Sequence, residues 1–280
     1  MKRPLRSALS WAVLSPLILT TLLPFAVMIS TALKPHEEVL AYPPTWFPRR
    51  IAWENFAEMW TSVGFGQAAY NSVLIAVAST LLALLIAVPA AYAMSRLDMR
   101  GKAAYRQFLL ITQMLSPILL VLGLFRMAAS IPFADGTLAD TRTGVIIVYA
   151  TYHLAFAIWM LASYFTTIPG ELEEAAWIDG ATRAQAVTRV FLPLALPAIA
   201  VTGIVTFVAS WNEFTVALTL LRDPSRLTLP LKVVNLVAGR YSVEWNQVMA
   251  ATLLATLPVA IVFTLLQRYL VTGLTLGAVK

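Results

Sequence analysis

The chain has 280 residues, of which 59% are hydrophobic and 12% charged, with a net charge of +6 and a mean hydropathy of +0.77. A soluble domain carries about 25% charged residues, so this composition belongs in a bilayer. There is no cysteine and there are only two histidines, His36 and His153, which excludes a disulfide framework, a thiolate metal site and a cysteine nucleophile. In such a chain the excess of Lys and Arg sets topology and meets anionic lipid headgroups; no nucleic acid and no metal is expected as a partner.

A spanning helix needs roughly 20 mostly apolar residues, so the charge-free gaps locate the spans. Lys2, Arg3 and Arg6 precede an apolar run that continues to Leu33. It is too long for a signal-peptide core and no small-x-small pattern closes it, so it reads as an uncleaved first span. Residues 34–65 follow as a long outer loop with Pro35, Pro43, Pro44 and Pro48 among Trp46, Phe47, Trp53 and Phe56, irregular and interfacial in character. The second span lies between Glu58 and Arg96, with its helix from about Ala68 to Ser95. A third and shorter gap separates Arg106 from Arg126. The fourth runs from Thr143 to Gly170, the fifth from Val190 to Leu221 with Glu213 as its interruption, and the sixth from Glu244 to Arg268. The expectation is an all-α membrane protein: one domain over residues 1–280 with six transmembrane helices and both termini on one side. Lys2, Arg3, Arg6, Arg96, Arg100, Lys102 and Arg106 crowd the flanks of the first helix pair, which places both termini in the cytoplasm.

One polar segment carries a mechanism. Residues 169–193 read PGELEEAAWIDGATRAQAVTRVFLP. Leu172, Ala175 and Ala176 have the spacing of a short amphipathic helix; Pro169 and three Glu suit its first turn. Gly180 ends it, and Thr182 can cap a second short helix carrying Ala184, Val187 and Phe191 on one face. The expectation is two short helices bent at Gly180 on the cytoplasmic side. From spacing alone, an interfacial hairpin on the headgroups is an equal reading.

The residue types decide between these readings. Glu174-Ala175-Ala176, Gly180, Val190, Leu192 and Pro193 resemble the EAA loop of bacterial ABC importer permeases, with Val190 where Ile is usual. Lys34-Pro35 with Glu38, Glu54-Asn55-Phe56, Asn71-Ser72, Ala90-Ala91-Tyr92-Ala93 with Arg96, Asp179-Gly180-Ala181-Thr182, Trp211-Asn212-Glu213-Phe214 and the Gly273–Lys280 ending extend the resemblance over nearly the whole chain, towards the maltose-type carbohydrate permeases. The resemblance implies a type I importer fold paired with a second, homologous permease. It implies an ATPase dimer, which binds the ATP and Mg, docked on Glu174, Ala175, Ala176, Asp179, Gly180, Leu192 and Pro193. It also implies an extracellular or periplasmic sugar-binding protein, and a tail at residues 271–280, including Gly277 and Lys280, that reaches the ATPases. The location implied is the bacterial cytoplasmic (inner) membrane, and the substrate a disaccharide such as maltose or trehalose, another oligosaccharide or a polyol.

Glu213 is the single acid inside a predicted span. Burial at mid-bilayer costs at least ~2.5 kcal/mol, so it lines a sugar path with Trp211 and Asn212, or sits near the outer helix end, solvated or paired with Arg222. His153, among Tyr149, Tyr152 and Trp159, reads as an interhelical hydrogen-bond donor. Pro193 and Pro197 mark the start of the fifth helix, and Pro89 and Pro258 read as kinks. Competing classes lack their signatures. A secondary transporter needs inverted repeats and several embedded ionisable groups. An enzyme needs a reacting constellation, and neither G-x-S-x-G nor H-E-x-x-H occurs. Gly101-Lys102-Ala103 is no Walker A loop, so the chain is not an ATPase and needs no cofactor of its own.

Overall fold

The computed structural model describes residues 3–62, 64–134, 136–238 and 243–276. Five helices among them are long and apolar enough to cross a bilayer, and a sixth crossing is available if one bent pair counts as a span. The chain divides into two compact units, residues 1–66 with 232–257, and residues 67–231 with 258–280.

In the first unit, α1 (Arg3–Ala32) is followed by the predicted outer loop, which is more regular than its prolines suggested: it holds α2 (His36–Val39) and α3 (Glu54–Ser62). The Asn55 side chain explains the order. Its amide donates to the carbonyls of Ala32 and Lys34 at 2.8 Å each, filling acceptors that the end of α1 leaves open, and its oxygen accepts from Asn246 at 2.9 Å. Glu38 accepts from the Thr45 hydroxyl at 2.7 Å and from the Arg49 N–H, and Lys34 donates to the Thr45 carbonyl. These bonds hold the Glu38 carboxyl below its usual range.

The next spans are α4 (Phe65–Arg96), α5 (Lys102–Met114), α6 (Pro117–Ser130) and α7 (Arg142–Phe165), with a two-residue hairpin, β1 (Pro132–Phe133) and β2 (Gly136–Thr137), between the last two. The third span is not the single helix predicted: α5 and α6 meet at 97°. Pro117 explains it. A proline pushes the residue before it out of the α region; Ser116 is extended at ψ 134°, and Pro117 then suits the first position of a new helix.

The 169–193 segment holds α8 (Glu171–Ile178) and α9 (Arg183–Ala186), then a five-residue π-helical segment, Val187–Phe191, that leads directly into α10 (Leu192–Asn212). The second short helix expected here is therefore the head of the fifth span, continuous from Arg183 to Asn212. Pro193 offers no N–H to the ladder, and the wider π turn just before it absorbs the mismatch without a break. The span closes early, at Asn212. Beyond it come α11 (Thr215–Leu220), α12 (Leu229–Val237) and α13 (Trp245–Leu276).

Two apolar clusters hold the second unit. One joins Ala87, Ala91, Ile158, Leu161, Phe165, Phe191 and Ala195; the other joins Ile75, Val145, Tyr149, Val216, Leu220 and Leu231. They sit towards opposite ends of α7, whose 24 residues span about 36 Å.

Candidate functional site

The predicted docking segment is built from local bonds. At the end of α8 the Ala181 N–H reaches the Ala176 carbonyl (2.9 Å) and the Gly180 N–H reaches Trp177 (3.0 Å), the Schellman pair, with Gly180 at φ +88°. Two residues later Thr182 and Gln185 form a capping box: the Thr182 hydroxyl accepts the Gln185 N–H, and the Gln185 side chain accepts the Thr182 N–H at 2.8 Å. Arg183 lies over the Trp177 ring at 5.1 Å. The bend at Gly180 thus has a stop on one side, a start on the other and a stacked pair across it.

The orientation of α8 is set by a residue the sequence reading did not single out. Glu173, not Glu174, turns inward and is 3% exposed. Its carboxylate accepts from Arg96 Nε at 2.6 Å and from the Tyr92 hydroxyl at 2.7 Å. The rest of the Arg96 guanidinium donates to the carbonyls of Phe165 (3.3 Å) and Ile168 (2.9 Å), acceptors left open where α7 ends. Below it, Phe191 packs 5.0 Å from the guanidinium and edge-on to both Tyr92 and Phe165 at 4.9 Å. One cation therefore ties together α4, the end of α7, α8 and the π segment. The predicted apolar stripe faces the other way: Leu172, Glu174 and Ala175 are exposed, Ala176 is half-buried, Asp179 and Gly180 are exposed, and Ile178 is 86% exposed. Leu192 is half-buried and Pro193 exposed at the head of α10. A cavity of about 610 Å³ lies behind α8, bounded by Arg96, Trp177, Arg183 and Thr188.

Near the other end of α7, Trp211 is 3% exposed and stacks on Phe207 (6.0 Å), so its ring presents no free face. Asn212 is exposed and Glu213 half-buried. Glu213 lies outside the helix, in the break between α10 and α11. Its carboxylate accepts the N–H groups of Val216 (2.9 Å) and Ala217 (3.3 Å), capping α11. The Tyr149 hydroxyl donates to its main-chain carbonyl. Arg222 lies 5.0 Å from the Phe125 ring, and the Glu213 carboxylate that could have paired with it binds the start of α11 instead. His153 is buried edge-on to Tyr152, and its Nε2 has no hydrogen-bond partner among the described residues; the donor role expected of it is not seen among them. Gly277 and Lys280 lie outside the described residues. Among the described residues no group of acidic or imidazole side chains is arranged to hold a metal.

Residues 63–275 match the family model of the binding-protein-dependent transport system inner membrane component. The chain belongs to that family. The permease is 34% identical over 265 residues to the inner membrane ABC transporter permease protein YcjP of Escherichia coli, covering 94% of this chain and 92% of that protein. It is 33% identical over 277 residues to the trehalose transport system permease protein SugB of Mycobacterium tuberculosis, covering 98% of each. In three dimensions it resembles a chain of a bacterial ABC transporter involved in the import of the acidic polysaccharide alginate, with TM-score 0.80, 22% identity, and coverage of 96% and 98%. The structural likeness establishes an all-helical importer-permease fold, and the family match with the likeness to YcjP establishes a multi-pass inner-membrane protein. It also makes the permease a transport subunit rather than a catalytic one.

Proposed function

We propose that this permease forms half of the translocation pathway of an ATP-driven sugar importer and transmits ATPase closure through α8. The observation that carries the reading is the division of α8 into two faces. Glu173 is clamped inward against Arg96 and Tyr92, which leaves Leu172, Glu174, Ala175 and Ile178 exposed among the described residues. The small alanines allow close approach of a partner helix or groove, and Glu174 offers a charge to a basic partner. The partner is an ATPase dimer that binds ATP and Mg, since the permease has no phosphate-binding loop. A second homologous permease completes the pathway, and a sugar-binding protein outside delivers the substrate. Both termini lie in the cytoplasm, residues 34–65 outside, and the tail ending at Lys280 reaches the ATPases.

The sugar class rests on relatives whose names specify trehalose, diacetylchitobiose, and trehalose and maltose; a disaccharide is the substrate proposed. Asn212 and Glu213 are its contacts along the path, next to the buried Trp211.

The permease has no cysteine, so Ala175→Cys introduces a single thiol. In the assembled transporter this thiol is expected to be shielded from a maleimide and to react once the ATPase is stripped off; equal labelling in both states contradicts docking on α8. Uptake of radiolabelled trehalose and maltose into vesicles tests the substrate. Glu213→Ala should lower uptake per assembled complex, whereas a fall in assembly with unchanged uptake per complex removes Glu213 from the path.

A further inference from the structure

We propose that the α5–α7 face of this permease holds one anionic, hydroxyl-bearing phospholipid of the phosphatidylglycerol type, with its phosphate on Arg106 and an acyl chain in the crook of α5 and α6. A cavity of about 280 Å³ opens beside the last turns of α7, lined by Met94, Arg106, Trp159, Ala162, Ser163 and Thr166. Arg106 is exposed, and its guanidinium makes no ion pair or hydrogen bond among the described residues. Ser163 donates its hydroxyl proton to the Trp159 carbonyl and Thr166 donates its own to the Ser163 carbonyl, both at 2.8 Å. Their oxygens are therefore left as acceptors. The pocket thus combines a cation for a phosphate with acceptors for headgroup hydroxyls. Trp159 stands beside it, an aromatic of the kind favoured at the water–lipid boundary.

A second cavity lies beside it. Along the neighbouring turns of α7, at Ile158, Ala155 and Tyr152, an apolar cavity of about 350 Å³ is lined by Leu109 on α5, Leu115 at the bend and Leu120 on α6. Leu109 is three residues beyond Arg106, about one turn deeper along α5. The 97° bend at Ser116–Pro117 opens this crook, so the backbone break that interrupts the third span also makes room for a chain. A phosphate ion alone would engage Arg106 and leave the apolar cavity unused. A lipid fills both. Arg100 on the adjoining loop and Lys102 at the start of α5 add to the attraction of an anionic surface.

The test uses the assembled transporter, reconstituted in phosphatidylcholine vesicles containing a minority of phosphatidylglycerol and then extracted in mild detergent. Native mass spectrometry counts the phosphatidylglycerol that stays bound. Wild type and Arg100→Gln should each keep one molecule. Arg106→Gln, at an exposed position that leaves folding intact, should bind it roughly fivefold more weakly, the effect of one basic group at an anionic surface. Ala155→Phe, which fills the crook, should also lower retention, and excess glycerol phosphate should not displace the lipid. Retention by Arg106→Gln equal to wild type overturns the proposal. Displacement by glycerol phosphate overturns it in favour of a free anion site. No retained lipid in wild type, with Ala155→Phe lowering assembly, overturns it in favour of a protein partner seated in the crook.

Discussion

At one end of α7 the permease is held by charges removed from water, and at the other by charges open to it. The Arg96–Glu173 pair sits at 2.6 Å with side chains 16% and 4% exposed; the Arg226–Asp140 pair sits at 3.6 Å with side chains 41% and 34% exposed. Both arginines also bind main-chain carbonyls, Phe165 and Ile168 at one end and Asp140 at the other. The main-chain contacts are alike, but the Arg96–Glu173 pair is both closer and drier than the Arg226–Asp140 pair. A buried pair is rigid because losing either partner strands a charge, while an exposed pair lets water replace what is lost. The end that is proposed to receive force from an ATPase is the end built to resist local yielding, and the opposite loop can yield.

Replacing Glu173 with Ala is the strongest test of this contrast. It leaves Arg96 charged and buried, and is expected to cost about 3–5 kcal/mol, read as a lower thermal midpoint and less assembled transporter. Arg96→Met combined with Glu173→Leu should recover part of the loss, but not all, because the carbonyls of Phe165 and Ile168 remain without donors. If Glu173→Ala costs no more than Asp140→Ala, burial is not what separates the two ends.

Gly180 comes next. With φ at +88° and no atom of this chain within 4 Å of a built Cβ, a substitution there strains the backbone without a collision inside the permease. Gly180→Val should cost about 1–2 kcal/mol and depress uptake while the spans still insert; Gly180→Asn, which tolerates this conformation, should be much milder. Equal uptake for both variants would show that the bend does not need its left-handed residue.

At the other end, Asp140 also accepts the N–H groups of Arg222 and Asp223 at 2.8 and 3.1 Å, from a backbone with φ +54°. Asp140→Ala should cost about 1 kcal/mol, and Asp140→Asn less, since it keeps an acceptor. Unfolding in denaturant separates them.

The smallest effect is on pH dependence. The N–H and hydroxyl of Ser225, with Arg226 nearby, hold the Asp223 carboxyl below its usual range. Its folded pKa is depressed, so its stabilisation is present at neutral pH and fades only as pH falls through and below the ordinary aspartate range, about pH 4. Amide exchange over residues 221–228, corrected for intrinsic rates, should speed up only in acid. Faster exchange already near neutrality would assign the order of this loop to other bonds.

The bend in the docking segment was legible because its bonds are local. Ala176 to Ala181 and Thr182 to Gln185 are contacts between residues five and three apart, and residue types alone specify them. The clamp was not legible. Glu173 and Glu174 are neighbours about 100° apart around one helix, equally acidic and equally placed for its dipole. Which one turns inward depends on Arg96, 77 residues away. The same limit explains Glu213. An acid in an apolar run signals something unusual, but only the break after Asn212 shows that its carboxylate caps a helix. The bent third span could have been read from Pro117 and the extended residue it imposes.

The membrane setting, an all-helical fold of five or six crossings and the α8 bend follow from the sequence by itself, because hydrophobic length, charge and turn chemistry act over a few residues. The tertiary structure alone decided which glutamate is buried, that α9 is the head of the fifth span, and that motif residues Asn55, Asn71 and Arg96 each bind main-chain carbonyls distant in sequence. Those assignments required knowing which chain ends are left without hydrogen-bond donors, and that is known only once the helices have packed.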